Sequence, residues 1–511
     1  LTSSLYDSGR AENNGLPEPA VTPDQPAAET AATQQAPSDP QPKRPRWLKV
    51  GSDVEVASYV KTELMYDYGT VHYCEGEFWR FTGKQWEIIP HESLRCTVHE
   101  YDGIAWGPYW KPLQLGAGWI NSILKELAAM LSKAAFFDAR PTGINCQNGF
   151  VSFDEGGPRL LPHTRKHRQR HVIPARWEPG SAAAIPDSSL LALLLRGSFE
   201  GDEDAVAKID LLAEIAGAAA LGYGPRHTAP KATVLLGRTA ENGKSQVLDL
   251  LRGLLPPGAV SSVPPSRFGD DRHIVKLVGK LLNTSDELGT AEAIASDRFK
   301  AIITGEPLTG RDVYRPAIDF RPQAQHVFAC NQLPAFHGGM DRGVIRRLMP
   351  IVFSRTIPPE ERIPNIGQRI VAEELGSVLA WAVQGAARLL ERGQFPELTS
   401  SREALLEWAQ GADPVLGWLE DRVMPVRLGV VGEEPPEVRS RDAYDDFKLW
   451  AVNEGYSPYT LPNINNFVQR VRAAGGGKGI AYKHSGSFRG FIGMRLRPLG
   501  RSPANANVDA A

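Results

Sequence analysis

"KATVLLGRTAENGKSQVLDLL", residues Lys231–Leu251, decides how this chain of 511 residues is read. Ala232 to Leu236 is apolar apart from Thr233, the pattern of a short strand buried on both faces. Downstream, Val247, Leu248, Leu251, Leu254 and Leu255 share one face of a helix. Gly243, Lys244 and Ser245 lie at the join. Strand, glycine-containing loop, Lys-Ser and helix is the order that a phosphate-binding loop requires. Backbone N–H groups at the helix start point at phosphate oxygens, Lys244 brings a cation to the terminal phosphates, and the Ser245 hydroxyl can ligate Mg²⁺. The candidate loop comprises Gly237, Glu241, Asn242, Gly243, Lys244, Ser245 and Gln246, with ATP and Mg²⁺ as the expected cofactors. Five residues separate Gly237 from Gly243, one more than the usual spacing. Either the loop is longer by one residue or Gly237 is not its first element. The bland alternative is an incidental helix N-terminus.

The stretches that follow add to the motif. "IVKLVGKLLNTSDELG" (274–289) reads as a second apolar strand running into Asp286 and Glu287, an acidic pair able to hold Mg²⁺ through water and to polarise the attacking water. "HVFACN" (326–331) is a third strand ending on Asn331, placed to sense a γ-phosphate or position that water. "DRGVIRRLMPIVF" (341–353) offers Arg346 and Arg347 just ahead of another strand. An acidic pair is often a helix cap and an Arg pair a solvated face. Four such elements in the correct order are hard to ascribe to chance.

Composition bounds the rest. A chain of this length is expected to hold two to four domains, since single cores rarely exceed ~250–300 residues. With 42% hydrophobic and 23% charged residues it reads as an ordinary soluble protein. No segment reaches the ~18 apolar residues of a membrane span, so no membrane partner is expected. The four cysteines lie far apart without a CxxC pair, so neither a disulfide framework nor a zinc ribbon is indicated. A net charge of −2 argues against coating nucleic acid through bulk charge. Any nucleic-acid contact is therefore local. The chain begins with Leu, as a fragment of something longer would.

Along the chain, residues 1–50 form a Pro/Ala-rich stretch expected to be a disordered linker. Residues 51–187 read as an α+β domain, with a helix from about Asp53, two aromatic strands in "VHYCEGEFWRFTGKQWEII" (71–89), and a helix in "WINSILKELAAMLSKAAFF" (119–137). The basic run Arg165–Arg170 reads as a solvated hairpin edge, with nucleic-acid contact as the alternative; Trp79, Phe81 and Trp86 read as core. Residues 188–398, opening on a helical stretch from Ser188 to Leu221, hold the nucleotide motifs and close on a long helix. Residues 399–500 give helix, helix and strand, the order of a winged helix, whose second helix would present Gln469, Arg470 and Arg472 to duplex DNA. Protein docking is the other reading of that domain. Residues 501–511 are a disordered tail.

"ENGKS", "TSDEL", "FKAIITGEPLTGRDVYRPAIDFRP", "FACNQLP" and "DRGVIRRLMPIVFSRTIP" together resemble the superfamily 3 helicase domain of phage and plasmid primase-helicases, related to the poxvirus primase-helicase. "NCQNGFVSFDEGGPRLLPHTRKH" resembles the domain that precedes the helicase there. The resemblance covers most of residues 60–500; the longer loop, and Glu306 where the family usually has Asp, depart from it. It implies an α/β fold built on a P-loop, AAA+-like superfamily 3 ATPase core, assembled as a homo-oligomeric ring, usually a hexamer. Arg346 or Arg347 would reach the neighbour's γ-phosphate in trans. "PLTGRDVYRPAIDFRP" (307–322) would be a hairpin in the ring's channel with Arg315 at its tip, Arg311 and Tyr314 as weaker contacts and Lys300 in support. A few cations per subunit suffice because a ring multiplies them. The function implied is an ATP-dependent DNA helicase of a phage, plasmid or integrated element, in a bacterial host cytoplasm, acting on single-stranded and forked DNA. A ring ATPase that translocates on or remodels DNA, and an origin-binding scaffold regulated by ATP, are the alternatives. Before the helicase region no clustered acidic or Cys/His metal site stands out, so priming is expected upstream or from a replication partner.

Overall fold

The computed structural model describes residues 44–180, 185–237, 239–288, 293–313, 317–332, 334–337, 341–412, 414–426, 435–454, 456, 458 and 461–497. The linker expected over 1–50 and the tail over 501–511 lie almost wholly outside the described residues. The protein is mixed α/β, with an α+β amino-terminal region and a five-stranded parallel sheet.

In the amino-terminal region, helix Asp53–Tyr68 starts on a reciprocal cap. The Ser52 hydroxyl accepts from Glu55 N, and the Glu55 carboxylate accepts the amides of Lys49, Val50 and Gly51 at 2.7–2.8 Å. The helix packs on Ala117–Leu131 through Val56, Val60, Leu64, Ile120, Ile123 and Leu127. The aromatic segment forms three strands, Val71–Cys74, Glu77–Phe81 and Trp86–Ile88, where two were expected. Glu75 and Gly76 turn the first corner in the left-handed region (φ 54° and 81°). Glu-Gly is a weaker turn signal than Asn-Gly, so the corner reads as strand.

The basic run meets expectation at exposed Arg165 and Lys166 and departs from it at Arg168 and Arg170. Arg170 is buried in an ion pair with Glu75 at 2.5 Å, and its guanidinium lies 3.7 Å from the centroid of the Phe137 ring and 5.1 Å from that of Trp79. Arg168 covers the Phe136 ring and donates to the Phe136 carbonyl. These arginines stack on an aromatic cluster rather than lining a solvated edge, because delocalised guanidinium is weakly hydrated and suits a ring face. The next residue, His171, shares a hydrogen bond with Gly279 O at 2.9 Å, which joins this region to the sheet region.

The stretch Ser188–Leu221 is two helices, Leu190–Phe199 and Ala205–Leu221, broken at Gly201 (φ 87°). The long closing helix is likewise two, Ile366–Glu373 and Leu375–Arg392. Small residues let the second of each pair approach closely: a Cβ on Gly217 would lie 2.4 Å from Ala386 N, and one on Gly385 would lie 2.1 Å from Ala213 O.

The parallel sheet runs, edge to edge, Val260–Ser261, Leu282–Ser285, Gln325–Cys330, Ala232–Leu236 and Leu348–Val352. Strand Val260–Ser261 was not anticipated. The stretch 274–289 is strand only over Leu282–Ser285; Asp271–Ile274 and Val275–Leu277 are helical turns burying Ile274 and Leu277 three apart, a spacing that a short apolar run does not distinguish from a strand. Strands Leu308–Gly310 and Ile318–Phe320 pair as an antiparallel hairpin. Beyond Thr399–Ala412, helices Pro414–Asp421, Ser440–Asn453 and Ile464–Gly475 enclose Trp418, Phe447 and Phe467, with strands Glu437–Arg439, Arg489–Ile492 and Ala481–His484 forming a small antiparallel sheet. Among the described residues no helix is long and apolar enough to cross a membrane.

Candidate nucleotide site

All five strands run the same way, so the loop Gly237–Gly243 and Asn331 leave the sheet at one end. Leu236 pairs in register with Cys330, and Gly237 N donates to Cys330 O at 3.2 Å, which brings Asn331 beside the loop. The loop folds back on its own first residue. A Cβ on Gly237 would lie 2.2 Å from Asn242 Nδ2 and 2.6 Å from Lys244 Nζ, so only glycine fits. Asn242 is buried and donates to Thr239 O at 2.6 Å. Gly243 (φ 90°) turns the chain into the helix, where a Cβ would meet the Ser198 hydroxyl at 2.3 Å. Helix Lys244–Leu254 then begins without a side-chain cap, as several other helices do. Its first-turn amides, beside exposed Ser245, suit an anion.

Lys244 is only 7% exposed, and its ammonium donates to Gly237 O at 2.8 Å and Asn331 Oδ1 at 3.0 Å. Both acceptors are neutral. Burial pulls the Lys244 pKa below its usual value; the Cys330 thiol beside it is pushed up to about 12 by its own burial and stays protonated at neutral pH. Among the described residues no carboxylate pairs with Lys244.

The other loop residues have different partners. Glu241 adopts φ 59°, its carbonyl accepts from Ile357 N at 2.9 Å, and its carboxylate pairs with Arg362 at 2.5 Å. This left-handed conformation costs about 1 kcal/mol. Gln246 accepts from Gly367 N at 3.0 Å, fastening the loop helix to Ile366–Glu373. Asp286 and Glu287 are exposed at the same end of the sheet, on the strand two places from the loop strand. Arg252, from the last turn of the loop helix, holds Asp286 at 2.8 Å and Thr284 Oγ1 at 2.8 Å. Sequence reasoning missed Arg252 and Arg362, since neither stands in a motif. Their only signal is charge opposite Asp286 and Glu241.

Arg346 and Arg347 stand at the opposite end. Ala232 N donates to Arg347 O at 2.8 Å, at the start of both strands. Arg347 is 9% exposed and folds back to donate to Gly343 O at 2.8 Å, whereas Arg346 is exposed. Asp341 caps the short helix Arg342–Ile345 and takes the Lys300 ammonium at 2.6 Å. Lys300 is therefore committed within the protein. Arg311 is exposed on the hairpin, its amide donating to Asp271 O; Tyr314 and Arg315, also named as contacts, lie outside the described residues. On helix Ile464–Gly475, Gln469 is exposed, Arg470 is half-buried and Arg472 lies 5.1 Å over the Tyr482 ring.

Residues 61–192 match the family model "D5 N terminal like", a domain found in phage and plasmid primase-helicases. Over this span the chain is similar to the primase-helicases. Residues 235–347 match "Family of unknown function (DUF5906)", a span running from the loop strand to Arg347. No curated protein matches this primase-helicase relative. Among solved structures, "The A form apo structure of NrS-1 C terminal region-CTR" is 12% identical, covering 83% of this chain and 87% of that one at a TM-score of 0.40. "The A form apo structure of NrS-1 C terminal region-CTR(305-718)" is 14% identical, covering 86% and 100%, at 0.44.

Proposed function

We propose that the chain is an ATP-dependent DNA helicase of superfamily 3 type, from a phage, plasmid or integrated element, unwinding or translocating on DNA during replication in a bacterial host cytoplasm. The observation that carries this is the Lys244 ammonium, buried against two neutral oxygens. A buried cation without a counter-charge is costly, and an ATP phosphate would supply that charge at the helix terminus. The sheet region is read as an AAA+-like P-loop core within residues 188–398, between an α+β domain (51–187) and a winged-helix-like domain (399–500).

In this reading Lys244 and the first-turn amides bind the terminal phosphates, and Asn331, already bonded to Lys244, orients the γ-phosphate. Ser245, Asp286 and Glu287 are oxygen donors with few carboxylates, the set Mg²⁺ takes beside phosphates; the ion supplies neutralising charge there. Arg252 steadies Asp286, leaving Glu287 to polarise the attacking water. Arg346 cannot serve its own subunit's nucleotide, because the ends of a five-residue strand are about 13–17 Å apart. It acts on the neighbour in a homo-oligomeric, hexameric ring. The hairpin, through Arg315 with Arg311 and Tyr314, grips one strand, with Lys300 in support.

A forked duplex with ATP and Mg²⁺ tests the proposal: strand separation by the chain and none by Lys244→Ala is expected. Unwinding that survives Lys244→Ala contradicts the site. ATP turnover stimulated by DNA without strand separation would assign a translocase or remodelling ATPase, and nucleotide binding without turnover a scaffold.

A further inference from the structure

The amino-terminal region carries an aromatic surface that neither the nucleotide site nor the hairpin uses. A small sheet pairs Trp47–Leu48 with Ala105–Trp106, and the latter with Lys111–Pro112. The connection between its last two strands is the loop Gly107–Trp110. Tyr109 is 83% exposed, Trp110 68% and Trp47 39%, although tryptophan is usually well covered. The backbone holds Trp110 out at φ 52°, a conformation that bulky residues rarely adopt, while Gly107 (φ 67°) starts the turn and accepts the Trp110 amide at 3.3 Å. Trp47 is fixed as well: its indole N–H donates to Gly107 O at 2.9 Å, and its ring lies 6.5 Å from that of Trp110. The fold thus spends backbone strain on presenting rings to solvent, which points to a ligand for them.

The surrounding charge says which ligand. Arg46, Lys49 and Lys111 are neighbours of these rings in the chain, are exposed, and form no ion pair among the described residues. Glu55, the carboxylate that meets this strand, accepts the amides of Lys49, Val50 and Gly51 and also feels the Lys49 charge, so it offsets one of the three cations in part. Rings bordered by exposed cations match a strand of bases joined by phosphates, where every base offers a π-face and every linkage a negative charge. We propose that Trp47, Tyr109 and Trp110 form a base-stacking platform for single-stranded polynucleotide, with Arg46, Lys49 and Lys111 as phosphate contacts. This rests on the DNA reading above and adds a contact remote from the hairpin. Stacking tolerates any base, so the platform holds a strand without reading its sequence.

The test uses the full chain and dye-labelled oligo(dT) and oligo(dA), without nucleotide. Both should quench tryptophan fluorescence. Tyr109→Ala/Trp110→Ala should weaken binding by about tenfold or more for both oligonucleotides, with thermal unfolding like that of the wild type, and Trp110→Phe should recover most of the loss. Lys49→Glu/Lys111→Glu should weaken binding and flatten its salt dependence. Wild-type affinity in a folded Tyr109→Ala/Trp110→Ala variant overturns the platform, as does a proline-rich peptide covering residues 17–45 that quenches the tryptophans while oligo(dT) does not. If the wild type binds no oligonucleotide at all, the DNA reading itself fails; if it binds and the rings are dispensable, only the platform does.

Discussion

The two ends of the parallel sheet place their polar groups differently. At the amino-terminal end Asp341 caps a helix and takes Lys300, Arg347 donates to Gly343 O while its buried Nε has no partner among the described residues, and His326 is held neutral by burial that lowers its pKa to about 3. His227, in the approach to Ala232–Leu236, is held down to about 4 for the same reason. At the carboxyl end the helix amides lack a side-chain cap and the Lys244 ammonium has only neutral partners. Under the proposed function the carboxyl end is the one that takes the anion, at the helix start beside Lys244. Arg346 is the exception at the amino end, an exposed cation in no ion pair among the described residues.

That exception gives the largest expected effect. Arg346→Ala should lower ATP hydrolysis of the assembled protein by about 10³-fold, the scale of an arginine acting in trans, and leave the melting temperature alone. Arg347→Ala should do the reverse, costing about 2 kcal/mol of stability through lost packing and an unsatisfied Gly343 carbonyl. Paired kinetics and thermal melts check both; a kinetic loss confined to Arg347→Ala would exchange the two roles.

Lys244→Met should reduce hydrolysis by about 10²–10³-fold and yet leave the nucleotide-free protein as stable as the wild type or more so, because a desolvated charge is removed while most of the stem remains. A large drop in melting temperature would mean that Lys244 is held by the fold rather than kept for a ligand. At the other end, His326 and His227 have folded pKa values below the usual 6.5. The unfolded chain then binds protons first, so stability is full above pH 6.5 and falls as the pH drops toward 4, by up to about 1.4 kcal/mol per unit for each histidine. Denaturant titrations at pH 7 and pH 5 measure this, and His326→Asn should shrink the difference.

What was legible in the sequence follows from how local each feature is. Strand Ala232–Leu236, the turn at Gly243 and helix Lys244–Leu254 are contiguous, and their pattern of apolar residues and glycine reads directly. Asn331 was readable as a strand end, and register with Leu236 brings it to Lys244. Arg252 with Asp286, and Glu241 with Arg362, are pairs made by folding, with no mark in either partner's neighbourhood. Arg346 and Arg347 are adjacent and identical in kind, so only burial separates them. The run Arg165–Arg170 misled because charge predicts solvent, whereas Phe136, Phe137 and Trp79 give two of its guanidinium groups a ring to lie on.

The central claim is that one subunit's Lys244 and the next subunit's Arg346 complete a single site. Mixing Lys244→Ala and Arg346→Ala proteins tests it most directly. Each alone should be inactive, while mixed assemblies contain interfaces that pair an intact Lys244 with an intact Arg346, so DNA-stimulated ATP hydrolysis should return to a measurable fraction of the wild-type rate. No recovery from proteins that demonstrably co-assemble, or full activity in an Arg346→Ala protein on its own, would contradict it.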